Sequence, residues 1–103
     1  MANDIIQTGC KIEIRAENKR LLSEEVNEQE VYISQFLQWI DVNVALIVIP
    51  TFKGHLVPLR VDEIYELQFV TKGGLYRCRG KILKRTKTSN NIATAEVKLV
   101  SAL

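Results

Sequence analysis

The residues of this chain best suited to binding chemistry are cations that alternate along one segment. Arg77, Arg79 and Lys81 stand two apart, within a stretch from Thr71 to Lys87 that carries seven cations and no acid. Alternate residues of a β-strand share one face, about 6.6 Å apart. Such a row of donors matches phosphates or carboxylates. These three side chains are therefore the predicted partner- or phosphate-binding residues, and a plain solvated face is the competing interpretation.

Side chains that could catalyse a reaction or bind a metal are sparse. The single histidine, His55, lies in a predicted loop with no Cys–His cluster nearby. Asp62 and Glu63 are adjacent, so in a strand they would point to opposite faces, and such pairs are typical of turns. Catalysis usually requires a nucleophile beside a base, or paired acids. The sequence therefore predicts a protein that is not an enzyme and that has no cofactor and no metal.

The two cysteines also argue against a redox or metal site. Cys10 and Cys78 form no Cys-x-x-Cys motif and no secreted-type disulfide framework. Cys78 falls on the apolar face of its predicted strand, where a thiol behaves as a small hydrophobic group. Both are predicted to be core or near-core thiols in a reducing compartment.

Composition and charge describe an ordinary globular domain with an uneven charge distribution. The 103 residues are 47% hydrophobic and 25% charged, which predicts a single domain over residues 1–103. Acids cluster between Glu13 and Glu30, and cations dominate after Thr71. The two segments either neutralise each other side by side or leave a basic surface for a partner. The longest apolar run, Val44 to Pro50, is shorter than the ~18 residues of a membrane span, so a cytoplasmic location is expected.

Turn signals about ten residues apart predict an all-β sandwich or barrel of short strands. Clean alternation predicts strands over residues 11–15 and 92–100, and β-branched and aromatic residues predict another over residues 31–38. The continuous apolar run over residues 45–49 is typical of a central strand buried on both faces. The path of residues 16–30 stays open, because their apolar residues also suit one face of a short helix.

The pair Gly73-Gly74 predicts a tight hairpin, since glycines supply the positive φ values of primed turns. With these glycines as the turn, Phe69 faces Cys78 on an apolar side, and Glu66 faces Lys81 on a polar side. A shift of one residue would mix the two sides, so the pattern specifies the register.

Gly80 lies opposite Leu67 in this register. A glycine inside a strand marks a bend, which would favour a closed barrel, or a packing hole, here filled by Leu67. A turn from Thr86 to Asn91 is predicted to lead into the last strand. The predicted core comprises Ile12, Ile14, Leu46, Val48, Leu67, Phe69, Ile82, Val97 and Leu99.

Several strings resemble, in order and spacing, the N-terminal domain of the flagellar brake proteins of the YcgR type. These proteins are bacterial cyclic di-GMP receptors in which a split-barrel-like β domain precedes a PilZ domain. The resemblance covers the chain from about residue 9 to about residue 99. The strings are Val31-Tyr32-Ile33-Ser34-Gln35, Pro50, Gly54-His55-Leu56-Val57-Pro58-Leu59, Tyr65-Glu66-Leu67-Gln68-Phe69 and Gly74-Leu75-Tyr76.

The resemblance implies an all-β fold, a small antiparallel split-barrel-like β-barrel of six or seven strands. It also implies a non-catalytic regulatory domain that packs against a following PilZ domain and contacts flagellar motor proteins. The family's nucleotide motifs, Arg-x-x-x-Arg and Asp/Asn-x-Ser-x-x-Gly, do not occur here. The chain is therefore expected to be the N-terminal domain of a longer protein and to bind cyclic di-GMP weakly or not at all by itself.

Two other functions stay open on the residues alone. A small barrel could bind single-stranded nucleic acid through the basic strand face, with Phe36 and Trp39 as a stacking platform. A split barrel could also hold flavin, usually across a dimer. A homodimer would follow if a strand edge near residues 16–30 were left open.

Overall fold

The computed structural model describes residues 6–16, 31–89 and 92–102, and these residues form eight β-strands and no helix. Six strands close into an antiparallel barrel in the order β1-β2-β3-β8-β7-β6, and β4 and β5 form a separate two-stranded hairpin. The predicted all-β barrel of six or seven strands is confirmed. The strands are β1 (Lys11–Ala16), β2 (Tyr32–Asp41), β3 (Val44–Val48), β4 (Thr51–Phe52), β5 (His55–Leu56), β6 (Ile64–Thr71), β7 (Gly74–Ser89) and β8 (Ile92–Ala102).

Strand β1 closes the barrel by pairing on both sides. It pairs with β2 over residues 11–14 and with β6 over residues 11–16. The open edge considered for a second copy was predicted near residues 16–30, of which the structure describes only Ala16, paired with Tyr65 on β6. The rest of the segment whose path was left open, residues 17–30, lies outside the described residues.

Alternate residues of the barrel strands fill the interior, as expected for a small barrel. Six of the nine predicted core residues are buried, and Leu99 is partly buried against them. The six are Ile12, Ile14, Leu67, Phe69, Ile82 and Val97.

The prediction was wrong for strand β3. Ala45 and Ile47 are fully buried, whereas Leu46 and Val48 lie on the outer side and are half-buried. In a continuous apolar run either the odd-numbered or the even-numbered residues can face inward, so the sequence does not determine which of them are buried. Strand pairing determines which residues face inward, because Ala45 stands opposite the bulky Trp39. A small residue facing a large one suits the narrow interior of the barrel.

The hairpin between β6 and β7 is shifted by two residues from the predicted register. Its turn is Lys72-Gly73, and Thr71 pairs with Gly74. The Thr71 hydroxyl accepts a hydrogen bond from the Gly73 amide at 3.1 Å and donates one to the Gly74 carbonyl at 2.8 Å. A hydroxyl that bonds its own backbone stabilises such a turn.

This shift changes the individual pairs and preserves the faces. Leu67 now faces Cys78, and Glu66 faces Arg79 in place of Lys81. Because side chains alternate with period two, a displacement of two residues leaves each on its predicted side. The sorting into an apolar and a polar face is therefore confirmed, and the predicted partners are wrong.

Strand β7 is longer than the sequence indicated. The predicted turn from Thr86 to Asn91 is wrong over its first four residues, since β7 continues to Ser89, which pairs with Ile92. Its pairing with β8 shifts register at three places, between Arg79 and Gly80, residues 82 and 84, and residues 87 and 89. Such irregularities bend a strand and change which side chains it presents.

Gly80 combines both roles that the sequence left open. It adjoins one of these register shifts, and it is buried beneath Leu67 and Val97. A Cβ atom at this position would stand 2.5 Å from Cγ1 of Val97 and 2.8 Å from Cδ1 of Leu67. Its direct partner in β6 is Tyr65, so Leu67 reaches it diagonally.

We expect Gly80→Ala to lower the free energy of unfolding by about 1 to 3 kcal/mol, because overpacking a filled core forces its neighbours to move. Urea unfolding followed by circular dichroism measures the change. Gly73→Ala is the matched control, since only the Thr71 hydroxyl lies near its added Cβ, at 3.9 Å. A Gly80→Ala protein as stable as the wild type would contradict this packing.

Both cysteines are free and pack against the core, which confirms their predicted positions. The Cys10 thiol donates to the carbonyl oxygen of Val70 at 3.2 Å, and burial raises its pKa. Burial also raises the pKa of Cys78 from its ordinary value of 9.0 to about 11.

The raised pKa of Cys78 predicts a loss of stability between pH 9 and pH 11. Over that range the thiol of the unfolded chain loses its proton while the folded protein keeps it, so stability falls as pH rises. Urea unfolding at both ends of the range should show a larger loss for the wild type than for Cys78→Ala. Groups that the two proteins share contribute equally to both losses, so equal losses would show that Cys78 ionises over the same pH range in the folded state.

Candidate functional site

Strand β7 presents its first three cations after the hairpin on the outside of the barrel. Cys78, Gly80 and Ile82 face inward, and Arg77, Arg79 and Lys81 face outward, as predicted. Arg77 is exposed, whereas the other two are partly covered by their neighbours. The three cations form a row on one strand, which we call the β7 basic face.

The three side chains of this face have different neighbours. Arg79 donates from Nη1 to the Ser101 hydroxyl at 3.1 Å and stands opposite Glu66 on β6. Arg77 stands opposite the neutral Gln68. Arg79 is therefore held in place beside an acid.

The least compensated position of the β7 basic face is Lys81. It stands directly opposite Lys98 on β8 and has the apolar Ile64 on its other side. Within the described ranges, no carboxylate lies at ion-pairing distance from either lysine. Directly opposed like charges destabilise a strand pair. This arrangement favours an anionic group placed against the two lysines.

Sequence reasoning missed Lys98 as a member of the site. Alternation placed it on the outer side of its strand, but only the register of β7 with β8 brings it opposite Lys81. That register includes a shift between Arg79 and Gly80, for which the sequence offers only the glycine itself as a signal.

The proposed neutralisation by the acidic N-terminal segment fails for the acid that the structure describes. Glu13 lies 3.6 Å from the Lys11 ammonium and 3.8 Å from the Arg15 guanidinium on its own strand, and it accepts a hydrogen bond from Gln68 at 3.1 Å. Strand β6 separates it from β7. The acids at positions 17–30 lie outside the described residues.

The remaining cations of the basic stretch do not belong to one face. The shift between Ile82 and Lys84 turns Arg85 and Lys87 toward the inner side, opposite Ala95 and Ala93. Lys84 stays outside, opposite Glu96. The cations of the basic stretch therefore lie on two faces of the same strand.

The candidate catalytic residues His55, Asp62 and Glu63 lie in a short strand and a turn. His55 is exposed and lies in the short strand β5, so the predicted loop is wrong for this residue. Asp62 has a positive φ of 74°, and its amide bonds the Ile82 carbonyl at 2.7 Å, so the Asp62-Glu63 pair forms the predicted turn. Across residues 6–16, 31–89 and 92–102, no group of three potential metal ligands occurs.

Burial removes Phe36 from the stacking platform considered for nucleic acid. Phe36 is 2% exposed and lies inside the barrel, where its ring centroid is 5.2 Å from that of the partly buried Trp39. Tyr76 faces Phe69, on the inward side of β7. Neither Phe36 nor Tyr76 therefore shares a side with the β7 basic face, where bases would have to stack.

The comparison with known families decides the relationship of the chain. The family model described as flagellar protein YcgR (PilZNR) matches residues 7–96, from before β1 into β8. The chain belongs to this family of YcgR N-terminal domains. A search of curated proteins and a search of solved structures returned no significant match.

Membership in this family indicates the general role of the domain. The YcgR N-terminal domain is a regulatory, non-enzymatic domain of a flagellar regulator, and its context is cyclic di-GMP signalling. Among the described residues, no helix is long and apolar enough to span a membrane. The family assignment favours regulation over the nucleic-acid and flavin alternatives.

The opposed lysines predict an unusual stability change. We expect Lys98→Gln to raise the free energy of unfolding by about 0.5 kcal/mol at low salt, because it removes a like charge facing Lys81. Lys84→Gln is the matched control and should lower stability slightly, since it removes a charge opposite Glu96. Urea unfolding measures both, and a Lys98→Gln protein less stable than the wild type would show that the lysines are compensated.

Proposed function

We propose that this protein is the N-terminal interaction domain of a cyclic di-GMP-responsive regulator of flagellar motility. In this proposal it packs against a following PilZ domain in a longer protein and contacts motor proteins in the cytoplasm. The observation that carries the proposal is the family match over residues 7–96. The domain binds partners and performs no catalysis.

The β7 basic face, extended by Lys98, is the surface that we assign to this interaction. Arg77 and Lys81 supply charge to an acidic partner surface, and the Ser101 hydroxyl positions Arg79. Cations this close stabilise a bound carboxylate or phosphate by charge-assisted hydrogen bonds. A partner anion would also relieve the repulsion between Lys81 and Lys98.

Cyclic di-GMP itself is assigned to the PilZ half of the receptor. The Arg-x-x-x-Arg and Asp/Asn-x-Ser-x-x-Gly strings of that half do not occur in the chain. The nucleotide therefore acts on this domain through the junction with PilZ, where it changes the relative orientation of the two domains. The altered orientation then changes the contact with the motor.

The test reverses the charge of the β7 basic face and measures binding of a PilZ domain from a YcgR-type regulator, with and without cyclic di-GMP. The variant carries Arg77→Glu, Arg79→Glu and Lys81→Glu. We expect affinity to fall about tenfold or more, since each exposed ion pair contributes about 0.2 to 1 kcal/mol and reversal adds repulsion. Isothermal titration calorimetry measures the affinity, and circular dichroism checks the fold.

A second triple variant controls for net charge. This control variant carries Lys53→Glu, Arg60→Glu and Lys72→Glu, which change the net charge equally at exposed positions outside the face. It should bind the PilZ domain with the affinity of the wild type. An unchanged affinity of the β7 variant would exclude the face from the interaction. Tight binding of cyclic di-GMP by the chain alone would contradict the division of roles between the domains.

A further inference from the structure

A second basic surface lies at the end of the barrel from which the β4–β5 hairpin projects. A cleft of about 330 Å³ opens between residues 56–58 and the distal part of the β7–β8 hairpin. Its walls are mostly apolar, and its cations come from β7. The lining residues are Ile49, Leu56, Val57, Pro58, Arg85, Thr86, Lys87 and Ala93.

The irregular pairing of β7 creates this cleft. After the register shift between residues 82 and 84, Arg85 and Lys87 lie on the side of the strand that faces inward. Their partners on β8 are Ala95 and Ala93, whose small side chains leave room above the interior. Without the shift, both cations would lie outside.

The described lining of the cleft carries positive charge and no acid. The Arg85 guanidinium donates to the Leu59 carbonyl oxygen at 2.8 Å, a contact that orients the side chain and leaves its charge uncompensated. Lys87 is exposed. Among the described residues that line the cleft, none is Asp or Glu. An occupant should therefore be anionic and should also have an apolar part.

The apolar surface continues past this cleft. Ile49, which lies at its wall, also lines a neighbouring depression of about 360 Å³ that includes Ile33 and Ile92. These two isoleucines are 53% and 58% exposed. Each depression is near the lower limit of about 300 Å³ for small-molecule pockets. Two adjoining depressions of this size fit successive side chains of a peptide better than one compact ligand.

We propose that this cleft receives an acidic segment of a partner protein. An apolar side chain of the segment packs against Val57 and Pro58, and a neighbouring carboxylate binds Lys87 beside Arg85. The proposal goes beyond the function assigned above, because this site faces away from the β7 basic face and does not depend on it.

Two blocked peptides test the proposal against the 103-residue chain by 15N NMR titration. One alternates glutamate with leucine, and the other replaces each glutamate by glutamine. We expect saturable shifts at the amides of Thr86, Lys87 and Ala93 with the acidic peptide, and about fivefold weaker binding of the neutral one. Equal binding of the two peptides, or no saturable shift at these amides, would overturn the proposal.

Two matched variants separate the cleft from general attraction to a basic strand. Lys87→Gln should lower the affinity for the acidic peptide about fivefold. Lys84→Gln, three residues away on the outer side of β7, should leave that affinity unchanged. Equal losses in both variants, or shifts centred on Lys81 and Lys98, would overturn the proposal. A further titration uses octanoate, a free amphiphilic anion. If octanoate binds at the same amides more tightly than the acidic peptide does, the cleft is a small-molecule site and the proposal is overturned.

The outcomes for the two surfaces are distinguishable. A failed peptide titration leaves the PilZ measurement on Arg77, Arg79 and Lys81 unaffected. Likewise, unchanged PilZ binding by the β7 variant says nothing about the cleft, because Lys84 and Lys87 are not changed in that variant.

Discussion

The irregular pairing of β7 with β8 is the constraint on which the surface chemistry of this barrel depends. A long strand must bend to follow a closed six-stranded barrel, and register shifts supply that bend. Each shift also changes which side chains face outward. The shift beside Gly80 places Lys81 opposite Lys98, and the next one turns Arg85 and Lys87 toward the barrel end. One basic segment thereby serves two surfaces.

The closed barrel explains why charge accumulates where it does. Apart from Ser34, the buried side chains are apolar, several of them are small, and Gly80 is a position where even a methyl group would clash. All charges of the barrel strands must therefore lie outside or at the ends. Opposed like charges such as Lys81 and Lys98 destabilise a strand pair, and in our proposal a bound partner anion offsets that cost.

Period-two alternation explains which predictions succeeded. It placed Arg77, Arg79 and Lys81 on one face, and that result survived an error in the hairpin register, because the error was two residues and not one. The same alternation failed for residues 44–48, where every side chain is apolar and either phase satisfies the pattern. Continued beyond Ile82, the same alternation would place Arg85 and Lys87 outside, but a register shift reverses their faces.

The sequence by itself determined the all-β class, the hairpin near residue 73, most of the core and the family, because alternation, turn residues and motif order are local properties of the chain. Only the tertiary structure decided which residues of different strands meet. The pairing of Lys81 with Lys98 and the cleft beside Lys87 both depend on register across β7 and β8. Register in a closed barrel is set by packing of all strands at once, and no single segment encodes it.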